Sequence, residues 1–161
     1  MNCLVGVDPG MSGGYAIAYN SLQSIELHSW VDESSFVEHF LELLANPDIS
    51  SISTVVEKVP PYVGRAIPSS SSFKLGYNYG FIVGVFRALK LPIELIPPKD
   101  WQKGLGGLQG LSSNKRKKVL KDHANRFFPT VKGLTLKTAD AALILRHFFI
   151  NNQSVARPLR A

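Results

Sequence analysis

The order of the strand-like and helix-like segments limits this chain to a few folds. Three segments with a strand pattern come first, at residues 3–7, 13–19 and 24–31, separated by short turns. After them, segments with helical spacing alternate with two more strand segments, at residues 53–59 and 92–96. An antiparallel meander followed by this alternation predicts a mixed sheet with helices on both faces.

Four helices are predicted from the spacing of apolar residues and from capping residues. The first follows the polar residues 32–35, and the second is a long segment at residues 73–89. The third is a basic segment that follows residues 112–114, and the last covers residues 136–151. Between the fifth strand and the basic helix, residues 97–110 are predicted to form a loop with one helical turn.

The length and composition favour one cytoplasmic domain. A chain of 161 residues, 45% of them hydrophobic, is enough for one α/β core and too short for two. We therefore expect one domain over residues 1–152 and a flexible tail over residues 153–161. No apolar run approaches the ~20 residues that span a bilayer, and the N-terminus lacks the pattern of a signal peptide. The single cysteine, Cys3, excludes an internal disulfide.

The positive charge of the chain is concentrated in one segment. Residues 99–126 contain eight Lys or Arg and two Asp, and this excess equals the whole net charge of +6. The remainder of the chain is therefore neutral. A neutral body with one basic segment indicates a polyanionic partner, nucleic acid first, although a solvent-exposed basic helix has the same composition.

Three acidic residues stand where sites assemble in α/β sheets. Asp8 ends the first predicted strand, Glu57 lies near the end of the fourth, and Asp140 lies near the start of the last helix. Carboxylates at the ends of buried strands cost free energy unless they are paired or bind a metal ion. Three carboxylates without a His or Cys cluster suit Mg²⁺ or Mn²⁺. On the acids alone, a turn residue at Asp8 and a surface acid at Glu57 form an equal alternative.

Short segments along the chain carry the most specific signal. They are VGVDPG at residues 5–10, GGY at 13–15, VVEKV at 55–59, FKLGYNYG at 73–80, IPPK at 96–99 and TADAAL at 138–143. Their order and spacing resemble those of RuvC-type Holliday-junction resolvases, over about residues 4–148. Plant-chloroplast and some phage resolvases are candidate relatives as well. The resemblance implies an RNase H-like fold, a five-stranded sheet with strand order 3-2-1-4-5.

The resemblance also implies a metal-dependent nuclease. Asp8, Glu57 and Asp140 would hold one or two Mg²⁺ ions, for which Mn²⁺ would substitute, and the enzyme would resolve four-way DNA junctions by paired phosphodiester hydrolysis. A homodimer would supply the two sites. No nucleotide cofactor and no membrane partner is expected. The location would be the cytoplasm of a bacterial or phage-infected cell, or an organelle for a processed plant protein.

A set of basic side chains and one aromatic side chain is predicted to contact DNA. It consists of Tyr62, Lys74, Lys99, Lys103, Lys115, Arg116, Lys117 and Lys118. The basic side chains would contact phosphates rather than bases. By the resemblance, Tyr62 would wedge into the junction, and a local loop anchor is an equal alternative for it. We interpret Trp101 as a loop anchor.

A stripe of three glycines marks the long second helix. Gly76, Gly80 and Gly84 recur every four residues, and each costs ~1 kcal/mol of helix stability against Ala. Close packing must offset that cost. The resemblance favours a partner subunit or DNA as the packing surface, with the chain's own sheet as the alternative.

Lys137 departs from the resemblance. Many family members carry a second acid or a His three residues before the final Asp, and a protonated Lys cannot ligate a metal. On a helix, Lys137 would lie beside Asp140. It would then replace an ion, contact the scissile phosphate or quench the site, and we predict a catalytic role for it. Two alternatives stay open, a catalytically impaired DNA-binding module and another RNase H-like nuclease that acts on RNA or branched DNA.

Overall fold

Five strands and five helices make up the part of the chain that the computed structural model describes, residues 1–61 and 68–153. The strands are β1 (Asn2–Asp8), β2 (Gly14–Tyr19), β3 (Ile25–Ser29), β4 (Ser51–Glu57) and β5 (Ile93–Ile96). The helices are α1 (Glu33–Ala45), α2 (Ser69–Ala88), α3 (Pro98–Trp101), α4 (Ser113–Phe127) and α5 (Ala139–Gln153). None of these helices combines the length and the apolar character that crossing a bilayer requires.

The strands form one mixed sheet in the predicted order, β3-β2-β1-β4-β5. β2 pairs antiparallel with β1 and with β3, whereas β1, β4 and β5 run parallel. Parallel neighbours end at the same edge of a sheet, and Val7 of β1 lies opposite Val56 of β4. Asp8 and Glu57 are the next residues on these two strands, so they stand side by side at that edge.

The alternation of side chains along the strands decides which face of the sheet each acid occupies. Val5 and Val7 of β1 pack with α1 and α2, and Val55 of β4 packs with α4 and α5. Successive side chains of a strand point to opposite faces. Asp8 and Glu57 therefore belong to the side covered by α4 and α5, which we call the α4–α5 face. Helices on both faces of the sheet confirm the predicted layers.

Gly6 lets α5 lie directly on β1. A Cβ at residue 6 would stand 2.6 Å from the backbone nitrogen of Leu145 and 2.8 Å from the backbone oxygen of Ala141. Ala141 and Ala142 are fully buried on the same helix. The small residues around Asp140 thus permit the close approach that the sequence predicts, and they bring the first turn of α5 to the end of β1.

Several element boundaries differ from the predicted ones, among them the starts of two helices. α2 begins at Ser69 rather than at residue 73, because the backbone N–H groups of Ser71 and Ser72 both donate to the Pro68 carbonyl and continue the helix backward. α5 begins at Ala139 rather than at residue 136. The side chain of Thr138 accepts from the Thr135 N–H and holds the preceding residues in a turn. The second difference places Lys137 in the turn that precedes α5.

Candidate active site

Asp8 is a buried carboxylate that also forms a turn. Its side chain is only 8% exposed, and its Oδ1 accepts a hydrogen bond of 2.9 Å from the Gly10 N–H. A Cβ at residue 13 would stand 2.8 Å from the Asp8 Cγ, so Gly13 leaves the space that the carboxylate occupies. Burial raises the pKa of Asp8, whereas the Gly10 hydrogen bond and the charge of Lys117 lower it. Asp8 is therefore a turn residue, as one alternative from the sequence had it, and it is a buried acid at the same time.

Glu57 is half-buried at the end of β4. Its Oε2 accepts a hydrogen bond of 2.7 Å from the indole N–H of Trp101. Burial, the negative charge of Asp8 and that of Asp140 raise the pKa of Glu57, the Trp101 hydrogen bond and the charge of Lys117 lower it, and the net result is a pKa of about 8. An ordinary surface acid would not have such surroundings.

Asp140 lies in the first turn of α5 and carries an unsatisfied oxygen. Its Oδ1 is buried and has no hydrogen-bond partner among the described residues. Burial and then the charge of Asp8 raise the pKa of Asp140 to about 7, and the charges of Lys117 and Arg116 lower it. A buried carboxylate oxygen without a donor is costly, and a bound cation would remove that cost.

The three acids Asp8, Glu57 and Asp140 face a common space without forming a closed ligand set. Asp8 raises the pKa of both other acids by its charge. Within the described residues, however, no three His, Cys, Asp or Glu side chains lie close enough together to ligate one ion. Both observations hold together, because charges act over longer distances than metal–ligand bonds. The donor set is all carboxylate oxygen, and with the unsatisfied Asp140 oxygen it fits a hard divalent cation.

Lys117 of α4 is the cation whose charge reaches all three acids. It lowers the pKa of Asp8, of Glu57 and of Asp140. α4 packs against α5, which brings the partly buried side chains of Lys117 and Arg116 toward the acids. The sequence predicted both residues only as phosphate contacts, because spacing along α4 does not reveal which of its basic residues faces α5.

The comparison with solved structures identifies the fold. A structure of Thermus thermophilus RuvC is similar with a TM-score of 0.57 and 16% sequence identity, covering 98% of this chain and 99% of that chain. RuvC from the same organism in complex with a Holliday junction substrate is similar with a TM-score of 0.55, 15% identity and the same coverage. This chain has the RuvC fold. The predicted RNase H-like fold with its strand order is thereby confirmed. No protein-family model and no curated protein matches the sequence.

Lys137 is exposed and precedes α5 in this RuvC fold. Its backbone N–H donates to the Thr135 Oγ1, and its charge is not among those that shift the pKa of Asp140 in the described residues. The prediction that it shares a helical face with Asp140 requires both residues on one helix. α5 begins at Ala139, and Lys137 lies in the turn before it, which the hydrogen bond from the Ala139 N–H to the Thr135 carbonyl closes. A catalytic role for Lys137 stays a prediction.

The other predicted DNA contacts lie on the surface. Exposed side chains are those of Lys74 on α2, Lys99 and Lys103 near α3, and Lys115 and Lys118 on α4. Tyr62 lies outside the described residues, so the wedge prediction is not tested.

The glycine stripe of α2 is open in this structure. Among the described residues, a Cβ at Gly76, Gly80 or Gly84 would meet nothing within 4 Å beyond its own helix. The alternative that the stripe packs on the chain's own sheet is therefore wrong. Phe73 and Tyr77 on the same helix are 72% and 56% exposed and stack on each other with ring centroids 6.4 Å apart. The stripe and this aromatic pair give α2 an exposed surface of glycines and aromatic rings in the part of the chain that the structure describes.

Two buried side chains for which the sequence predicted no role at the site hold it. Trp101, predicted as a loop anchor, donates to Glu57 as described above. Asn78 of α2 is buried, and its Nδ2 donates a hydrogen bond of 2.8 Å to the backbone oxygen of Pro9, next to Asp8. An amide in an otherwise apolar helix segment is the sequence feature that could have pointed to Asn78. For Trp101, the corresponding feature is its position just after β5, the strand beside β4.

Proposed function

We propose that this chain is a divalent-metal-dependent endonuclease that resolves four-way DNA junctions. The observation that carries the proposal is the set of three acids, Asp8, Glu57 and Asp140, on the α4–α5 face of a sheet with the RuvC fold. Acids that raise one another's pKa in a partly buried site are typical of catalytic centres. The T. thermophilus RuvC with this fold is in complex with a Holliday junction substrate, which supports the choice of DNA substrate.

The three acids would hold one or two Mg²⁺ ions, and Mn²⁺ would substitute. A bound cation supplies positive charge that stabilises the entering and leaving oxygens of phosphodiester hydrolysis. The chain's own contribution is to orient the acids: Gly10 holds Asp8 and Trp101 holds Glu57 by hydrogen bonds. Lys117 would offset the negative charge of the acids and approach the scissile phosphate, where its charge would stabilise the transition state.

The homodimer would form through α2. Paired nicks in a two-fold junction require two copies of the site, and a two-fold dimer presents them symmetrically. The open stripe of Gly76, Gly80 and Gly84 allows another helix to approach closely, and the exposed Phe73 and Tyr77 extend the same helix. Two observations therefore support α2 as the dimer interface: its row of glycines, which have no side chain, and its exposed aromatic rings.

A catalytically impaired junction-binding module is the second candidate. It is favoured by the absence, within the described residues, of three side chains close enough to ligate one ion. A different RNase H-like nuclease, acting on RNA or branched DNA, has no observation in its favour beyond the shared fold.

A nicking assay on a synthetic four-way junction separates these functions. We expect Mg²⁺-dependent, paired nicks in the junction, with a linear duplex and an RNA–DNA hybrid as matched competitors that are cut more slowly. Sedimentation of the same sample should give a dimer. Tight junction binding without nicking at any Mg²⁺ or Mn²⁺ concentration would favour the impaired module, and preferred cleavage of the hybrid would favour the other nuclease. Paired nicks by a monomer would contradict the homodimer.

Neutralising exposed lysines of α4 should weaken the salt dependence of junction binding. Lys115→Gln and Lys118→Gln each remove one predicted phosphate contact and keep helix propensity. Each should lower the slope of log K against log salt by ~0.9. The measurement is junction binding over a salt series. The matched control is Lys90→Gln, because Lys90 is an exposed lysine between the end of α2 and the start of β5. Slopes equal to that of the control would remove these lysines from the interface.

Lys117 and Lys137 should differ in their effect on nicking. Lys117→Ala removes a charge that acts on all three acids, so we expect a loss of about 10²-fold in the nicking rate. Lys137→Ala should cause a smaller loss because the side chain is exposed. Single-turnover rates over a range of Mg²⁺ concentrations check both changes. If Lys137→Ala and Lys137→Asp both accelerate nicking, Lys137 inhibits the site and its predicted catalytic role is wrong.

A further inference from the structure

Trp101 makes the hydrogen bond that orients one of the three acids. Its indole N–H lies 2.7 Å from Glu57 Oε2, a short contact for an N–H donor and a carboxylate oxygen. Within the described residues, the Glu57 carboxylate has no other hydrogen-bond partner, and its second oxygen, Oε1, makes none. The indole donates and cannot accept a proton, so it holds the carboxylate without competing for it as a base.

The position of Trp101 is fixed by packing. The side chain is 3% exposed and belongs to the core cluster on the α4–α5 face with Val55, Ile96 and Ile144. The backbone is held as well, because the Gln102 N–H donates to the Pro98 carbonyl across the single turn of α3. A donor fixed in this way holds its acceptor in one orientation, whereas a donor on the surface would not.

The same turn is connected to the basic helix. The guanidinium of Arg116 on α4 donates to the side-chain oxygen of Gln102, the residue after Trp101. Arg116 is followed by Lys117, whose charge acts on the three acids. The hydrogen bonds thus join α4, the turn of α3 and the Glu57 carboxylate into one connected network.

We propose that Trp101 is a positioning residue that orients the Glu57 carboxylate for a divalent cation. The inference rests on the proposed function and deepens it. The hydrogen bond to Oε2 leaves Oε1 for the cation, and the buried indole prevents the carboxylate from rotating away. Partners of this kind around a metal ligand typically contribute 10–100-fold to metal affinity or activity.

The test compares Trp101→Phe with Trp30→Phe, the other tryptophan of the chain. Trp30 is half-buried on the opposite face of the sheet, packs against Phe36 and Phe81, and makes no side-chain hydrogen bond among the described residues. Mn²⁺ affinity is measured from the free Mn²⁺ signal in electron paramagnetic resonance, which needs no catalysis. We expect about 10–100-fold weaker binding in Trp101→Phe and no change in Trp30→Phe. Equal affinities in the two variants would overturn the positioning role.

A second measurement uses the unaltered protein and covers the case in which Trp101→Phe does not fold. The two indole N–H resonances are recorded with ¹⁵N-labelled protein during a Mg²⁺ titration and assigned from the spectrum of Trp30→Phe. We expect the Trp101 resonance to shift and the Trp30 resonance to stay. An unmoved Trp101 resonance in a protein that binds Mn²⁺ would overturn the positioning role alone. A protein that binds no Mn²⁺ would overturn the proposed metal-dependent function and this inference with it.

Discussion

Asp8→Asn or Glu57→Gln should abolish junction nicking while junction binding stays intact or becomes tighter. Each change keeps the shape of the side chain and removes one negative charge that would hold the cation. We expect the nicking rate to fall by about 10³-fold or more, because the loss of even one charge-stabilising group costs ~10²–10³-fold. Binding should not weaken, since fewer negative charges then face the phosphates.

Single-turnover nicking and equilibrium binding on the same junction check this result. Glu94→Gln is the matched control, because Glu94 is an exposed carboxylate on the neighbouring strand β5 and should affect neither measurement. Cleavage at the wild-type rate in both site variants would refute the assignment of the acids. A loss of binding together with cleavage would instead point to a misfolded variant.

The stability of the metal-free protein should fall as the pH rises toward 8. The pKa of Glu57 is raised from 4.5 to about 8 and that of Asp140 from 3.8 to about 7, mainly by burial. A carboxyl group with a raised pKa binds its proton more tightly in the folded chain. The folded state is therefore favoured at low pH and loses stability between the unfolded and the folded pKa. The loss should therefore be large enough to appear as a lower temperature of unfolding at pH 8 than at pH 5.

A divalent cation should reverse this loss. Metal ligands bind in the deprotonated form, so Mg²⁺ competes with the protons on Glu57 and Asp140 and stabilises the folded protein more at pH 8 than at pH 6. Thermal unfolding between pH 5 and 9, with a chelator or with Mg²⁺, measures both effects. An equal Mg²⁺ effect at pH 6 and pH 8 would contradict the proposed site.

Glu57→Gln separates the carboxyl effect from other titrations. Burial lowers the pKa of His28 and of His147 from 6.5. A His with a lowered pKa makes the stability of the fold rise with pH between its pKa in the folded protein and 6.5. The difference in unfolding free energy between the wild type and Glu57→Gln removes this contribution. As the pH rises from about 4.5 to about 8, the wild type should lose stability relative to Glu57→Gln. A difference that does not vary with pH would show that Glu57 has an ordinary pKa.

The sequence by itself determined the sheet and the strand ends at which two of the acids stand. Alternating apolar residues and short turns define strands, and the order of strands and helices leaves few ways to connect them. Asp8 and Glu57 follow directly from this order, because neighbouring parallel strands must end at one edge. Asp140 follows from the small residues around it, which permit α5 to lie on Gly6.

Only the tertiary structure decided which other side chains reach the acids. Lys117 differs from Lys115 and Lys118 only by the direction in which α4 presents it, and that direction depends on how α4 packs against α5. Trp101 reaches Glu57 across 44 residues of sequence. The β4–β5 pairing brings the two residues near each other, and only the packing of the indole with Val55 and Ile96 shows that its N–H meets the carboxylate. Lys137 is the reverse case, since a spacing of three residues indicated an effect on Asp140, whereas the charge of Lys137 is not among those that shift the pKa of Asp140. Patterns of apolar residues specify local structure and the order of elements along the chain, and the resemblance implied the sheet order, whereas contacts between distant side chains depend on the packing of whole elements.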